Sequence, residues 1–247
     1  MLTMKDNSVS GPAFSRASNR VGFYSAIFMA VITVLTFGFA ISAIPISGAY
    51  CLEGCIEYPY LDTIARFPKD YLWMYLAILL ILSYVVLVNS IHSCASQDRR
   101  IFSQIGLSFA VMAASILLID FYIQFSVIPV SLIHGETEGV ALVTQYNPHG
   151  IFIVLEELGY LLMSLSFLFL ALVFNASGRL EAAVRWVFIL GFLLTFVSLA
   201  WISIQHGLDR EYRFEIAVIS IDWLVLLVNG ILLAILFGGS RVLSRNR

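Results

Sequence analysis

Six apolar runs, each close to the length of one membrane crossing, leave this chain few folds to choose from. They lie at residues 21–46, 71–91, 102–130, 150–174, 184–204 and 216–237. A helix rising about 1.5 Å per residue needs roughly 20 residues to cross a hydrocarbon core about 30 Å thick. Inside lipid a helix pairs all its own backbone groups, whereas an open strand leaves a row of them unpaired. No strand-like alternation interrupts the runs. The expected fold is therefore all-α, a polytopic bundle of six transmembrane helices with the lipid bilayer as its principal partner. Composition agrees, because 60% of the 247 residues are hydrophobic, 12% are charged and the mean hydropathy is +0.91. Globular domains carry about 25% charge. A formal net charge of -2, with no cluster of Lys and Arg, gives nucleic acid nothing to bind.

Lys and Arg divide unequally between the two sides of such a bundle. Lys5, Arg16, Arg20, Arg99, Arg100, Arg179, Arg185, Arg241, Arg245 and Arg247 collect on one side, and Arg66, Lys69, Arg210 and Arg213 on the other. By the positive-inside rule both termini are expected in the cytoplasm, with the long connectors 47–70 and 131–149 outside a cell membrane. The domain reading follows: a polar cytoplasmic tail over 1–20, a membrane domain over 21–238 and a basic tail over 239–247. The first apolar run is too long for the core of a signal peptide. Asn147 and Pro148 supply a cap residue and a preset first turn for the fourth helix, and Gly238-Gly239 a stop for the sixth. Tyr50, Tyr58, Tyr60, Tyr71, Trp73 and Tyr75 crowd the outer boundary of the first two helices, where an aromatic belt is expected.

Cys51 and Cys55 share the first outer loop, while Cys94 lies on the inner side. An outer location permits a disulfide across Cys51 and Cys55 if the loop coils, and free thiols are the alternative. A zinc site is disfavoured, since two thiols need two further ligands and no His is near in sequence.

Four acids, Asp120, Glu156, Glu157 and Asp222, fall inside or at the edge of apolar runs that hold no Lys or Arg. Charge in lipid costs several kcal/mol, so such acids usually face the protein interior or a wet cavity. Asp120 precedes Pro129 by nine residues and lies about 13 Å deep; Asp222 follows Glu215 by seven and lies about 10 Å deep from the same side. An inverted repeat would place one near each face, so the Ile119-Asp120 and Ile221-Asp222 likeness is not such a repeat. Glu156 lies about 10 Å below the same boundary, which puts acids from three helices in one layer. Helical spacing aligns His149, Ile153, Glu156, Tyr160 and Ser164 on one stripe of the fourth helix. Gln124 lies one turn from Asp120, and Asn229 two turns below Asp222.

Carboxylates crowded together in a low dielectric need a proton or a cation to balance them. Three functions suit that chemistry. A transporter or a cation- or proton-binding protein would use Asp120, Glu156, Glu157 and Asp222 to bind or relay charge, with His149, Tyr160, Gln124 and Asn229 beside them. An intramembrane enzyme would use a carboxylate pair as acid and base on a lipid or isoprenoid. A non-catalytic subunit would salt-bridge the acids to Arg210, Arg213 or Lys69 and pack its small-residue stripes, such as Gly106 with Ala110, against a partner. Hard cations such as calcium match these oxygen ligands better than zinc does. Neither a G-x-S-x-G elbow, an H-E-x-x-H pair nor a nucleotide-binding glycine loop occurs. No cofactor is named by the sequence.

Overall fold

The computed structural model describes residues 16–43, 46–175 and 178–245. Within them the chain forms α1 (Arg16–Ile41), α2 (Leu72–Cys94), α3 (Arg100–Ser126), α4 (Ile128–His134), α5 (Val140–Val143), α6 (Ile151–Ala171), α7 (Arg179–His206) and α8 (Tyr212–Arg245). No strand occurs among the described residues. Six of the helices are long and apolar enough to cross a membrane, α3 running on into α4 in one of these crossings. The protein is thus an all-helical, multi-pass integral membrane protein.

The six long helices pack in chain order around a ring. α1 lies on α2, α2 on α3, α3 on α6, α6 on α7 and α7 on α8, and α8 closes on α1. α6 also reaches α8 across the middle. The start of α1 meets the end of α8, where the Phe237 ring fills the space a side chain at Gly22 would need. That side is called the terminal end below, and the opposite side the loop end.

Small residues set the helix spacing. A Cβ at Gly159 of α6 would come within 2.5 Å of the Leu117 side chain of α3, and one at Gly106 of α3 within 3.1 Å of Leu170. Without those side chains the two backbones approach closely, as small residues permit in lipid. The Gly106 and Ala110 stripe is therefore spent inside this chain on α6, where Ser166 also donates to the Gly106 carbonyl at 2.7 Å.

Several expected boundaries shift for identifiable reasons. α1 starts at Arg16 and ends at Ile41, so it includes residues assigned to the polar tail and stops short of 46; Ile44 and Pro45 lie outside the described residues, as do 1–15 of that tail. The third run breaks at Ser126, and Pro129 opens the separate helix α4, where its missing N–H costs nothing. Asn147 does not cap α6. Its Oδ1 accepts from the His149 N–H at 3.0 Å, closing a local turn, and Gly150 occupies the cap position with no side-chain bond. Gly238 and Gly239 do not stop α8, which continues to Arg245 through the expected basic tail from 239. The aromatic group divides: Tyr60, Tyr71 and Trp73 are buried, while Tyr50, Tyr58 and Tyr75 are exposed.

The loop end is closed by two long connectors knitted together. Gln124 at the end of α3 donates from Nε2 to the Val143 carbonyl at 2.6 Å and accepts from the Gln145 N–H at 2.9 Å. The Ser47 hydroxyl donates to the Tyr146 carbonyl at 2.6 Å, and Tyr212 donates to the Gln145 carbonyl at 3.1 Å. Asp70 receives both Arg66 Nε and the Tyr146 hydroxyl on Oδ2 at 2.8 Å. Burial and the bond to Asp70 raise the Tyr146 pKa, so that phenol holds its proton tightly. The same carboxylate bond raises the pKa of Arg66. In the first connector Cys51 and Cys55 are joined by a disulfide with a Cα–Cα distance of 5.8 Å.

Candidate functional site: buried carboxylates at the loop end

Asp120, Glu156 and Glu215 come together from α3, α6 and α8. Asp120 lies six residues before the end of α3, Glu156 five after the start of α6 and Glu215 three after the start of α8. At about 1.5 Å per residue these are depths of roughly 9, 8 and 5 Å, a single layer beneath the knitted connectors. All three side chains are buried. Glu156 stands against Glu215 at hydrogen-bonding range and within electrostatic reach of Asp120. Two ionised carboxylates are acceptors only, so nothing bonds them until a proton is shared. Accordingly Glu156 Oε1 and Oε2, Glu215 Oε2 and Asp120 Oδ2 are all buried without a hydrogen-bond partner. Among the described residues no three His, Cys, Asp or Glu side chains gather at metal-ligand spacing, so the trio is not a preformed metal cage.

Glu157 and Asp222 each have a donor, although Asp222 Oδ2 is also buried without a partner. Glu157, the neighbour of Glu156, turns to the next face of α6 and accepts from Arg210 Nη2 at 2.8 Å. Arg210 is held in turn by Ser203 at 3.3 Å and lies over the Phe214 ring at 5.9 Å. Asp222 sits two turns deeper than Glu215, about 10 Å further in. There Ser164 donates to its Oδ1 at 2.8 Å, with Thr195 at 3.5 Å. The structure therefore separates Asp222 from the layer that contains Asp120 and Glu156, and puts Glu215 in its place.

Tyr160 connects the two levels. It is one turn below Glu156 and one turn above Ser164 on the same inner stripe of α6, and it feels the charges of both Glu156 and Asp222. Its oxygen accepts from Trp223 Nε1 at 3.1 Å, which leaves its own proton free to be donated. Asn229, two turns below Asp222, is buried with Oδ1 and Nδ2 both unpartnered. Glu215, Asp222 and Asn229 thus form a seven-residue polar ladder down α8. That spacing was a signal for Glu215 that a reading of it as the helix boundary passes over.

The remaining candidates fall outside the cluster. His149 is 59% exposed and lies 3.9 Å from Asp209, away from the buried layer. Gln124 is spent on the connector between α5 and α6.

A cavity of about 470 Å³ opens beside the trio between α1 and α8. Phe37, Trp73, Phe152 and Trp223 contribute aromatic rings to its wall, and Glu215, Gln145, Ser220 and Tyr50 contribute polar groups. The buried Gln145 amide stands next to the Tyr71 hydroxyl without closing a hydrogen bond, and its Nε2 is unpartnered. Compared with known proteins, the chain matches no family model, no curated protein and no solved structure.

Proposed function

We propose that this membrane protein binds and exchanges a proton, or a cation in its place, at Asp120, Glu156 and Glu215, and that it belongs to the transporter class. One observation carries the reading: three helices bring carboxylates into one buried layer whose charge no Lys or Arg among the described residues balances, since the neighbouring Arg210 is committed to Glu157. Intramembrane acids of this kind mark ion pathways and proton relays. Tyr160 and Asp222 extend the path from the trio toward the middle of the bundle. We place the loop end outside a cell membrane, supported by Arg99, Arg100, Arg179 and Arg185 at or near the terminal-end starts of α3 and α7 and by the disulfide at the loop end.

The test is proton flux in liposomes that carry the protein and a trapped pH-sensitive dye. Wild type dissipates an imposed pH gradient faster than empty liposomes, and Glu156→Gln and Glu215→Gln abolish the difference. Flux in the double variant equal to that of wild type sinks the reading. A second reading, acid/base chemistry on a lipophilic substrate, is favoured by Glu215 standing at the wall of an apolar cavity. It requires turnover of an added lipid in the absence of any gradient.

A further inference from the structure

The cavity between α1 and α8 has the character of a ligand site in its own right. Its volume of about 470 Å³ lies within the roughly 300–1,000 Å³ of ordinary small-molecule sites, which are mostly apolar with a few convergent polar groups. Two polar side chains in its lining, Glu215 and Gln145, are more than nine-tenths buried, and each carries an unsatisfied atom: Glu215 Oε2 is an acceptor without a donor, and Gln145 Nε2 a donor without an acceptor. No Lys, Arg or His lines it among the described residues. Its lining includes the rings of Phe37, Trp73, Phe152 and Trp223, whose faces attract cations. An anionic ligand would face Glu215 with like charge, and a plain hydrocarbon would leave both polar groups unpaired.

We propose that this cavity binds a lipophilic amine in its protonated form. The ammonium lies beside Glu215 and against the aromatic faces, an oxygen next to the nitrogen accepts from Gln145 Nε2, and the apolar body fills the rest. The proposal rests on the reading of the trio as a place where a cation replaces a proton: the arriving ammonium takes over Glu215, and the proton shared between Glu215 and Glu156 is released. No covalent bond changes.

The probe is N-dodecylethanolamine, titrated into the Trp186→Phe/Trp201→Phe protein in phosphatidylcholine nanodiscs, so that the fluorescence reports on Trp73 and Trp223 in the wall. A saturable change is expected with the amine and none with dodecanol or dodecanoate, which share its chain. Glu215→Gln weakens binding by more than about thirtyfold, the usual minimum when one member of a buried charge pair is lost. Ile219→Trp, which fills the cavity without touching the acids' own chemistry, removes it. Equal response to dodecanol, non-saturable partition, or binding retained in both variants would overturn the proposal. The melting temperature of each variant reports whether it has folded. Proton release measured in weak buffer separates the two readings: amine binding without release keeps the cavity site and sinks exchange at the trio, whereas proton flux in liposomes without amine binding does the reverse.

Discussion

Glu156 and Glu157 are neighbours on α6, yet Glu157 faces Arg210 across 2.8 Å and Glu156 faces two further carboxylates. The same contrast runs through the whole loop end. Asp70 has Arg66 and Tyr146 on Oδ2, and Asp222 has Ser164 and Thr195 on Oδ1, each a fixed donor supplied by the chain, while the second oxygen of each acid is unpartnered. Asp120, Glu156 and Glu215 have none. Where the fold needs an acid for its own integrity it also encodes the donor that holds it. An acid left unmatched in the same dry surroundings points to a partner that comes and goes.

The contrast predicts opposite signs for mutations on its two sides. Asp70→Ala has the largest expected effect, because it strands Arg66 and leaves the buried Tyr146 hydroxyl without its acceptor. A loss of about 3 kcal/mol follows from breaking a largely buried pair and orphaning a hydroxyl. It is read as a fall in melting temperature in detergent, together with faster proteolysis of the connectors. Arg210→Ala comes next. Arg210 is about one-third exposed, so the cost of unpairing Glu157 is about 2 kcal/mol, below that of a fully buried pair. Adding Glu157→Gln should recover most of it, and failure of that rescue would mean that Arg210 acts through its packing on Phe214 instead.

Tyr146→Phe gives a smaller change with a pH signature. Losing one hydrogen bond to a carboxylate costs about 1–2 kcal/mol at neutral pH, while Arg66 remains on Asp70. The Tyr146 pKa is raised in the folded protein above its ordinary value of 10. The folded state therefore keeps this proton when the unfolded chain gives it up. Stability from that source is fully present below pH 10 and is lost as the pH rises beyond it. Wild type should lose melting temperature above pH 10 more steeply than Tyr146→Phe. Parallel curves would show that another group controls the alkaline limb.

How much of this was legible in the sequence depends on whether one helix or two were involved. Six crossings, and the inward stripe of Ile153, Glu156, Tyr160 and Ser164, follow from periodicity within one segment, and all four are buried, whereas His149, expected on the same stripe, precedes the helix and is exposed. Neighbour relations do not. That Glu157 pairs with Arg210 and that Gln124 ties down the connector near Gln145 depends on how α6, α3 and the loop end pack. Glu215 was missed because a charged residue at the edge of an apolar run reads as the edge itself. In the fold α8 begins at Tyr212, the connectors close over its first turn, and the edge becomes interior. Gly238-Gly239 failed as a stop for a related reason: glycine only permits a helix to end, and here the helix runs on.

Glu156→Gln is the smallest expected effect on stability and the sharpest test of the contrast. The substituted amide keeps the shape of the side chain and supplies a donor, so it can bond Glu215 without a shared proton. Because no fixed partner is lost, melting temperature should change by less than the equivalent of about 1 kcal/mol, and in the direction of greater stability if the bond to Glu215 closes. A matched acid treated the same way loses a bond its neighbour cannot replace. The accompanying loss should be functional: shifts of melting temperature with added cations, and proton flux in liposomes, should disappear together. If Glu156→Gln instead destabilises as strongly as Asp70→Ala while cation response persists, the trio is structural and the contrast between matched and unmatched acids has no functional content.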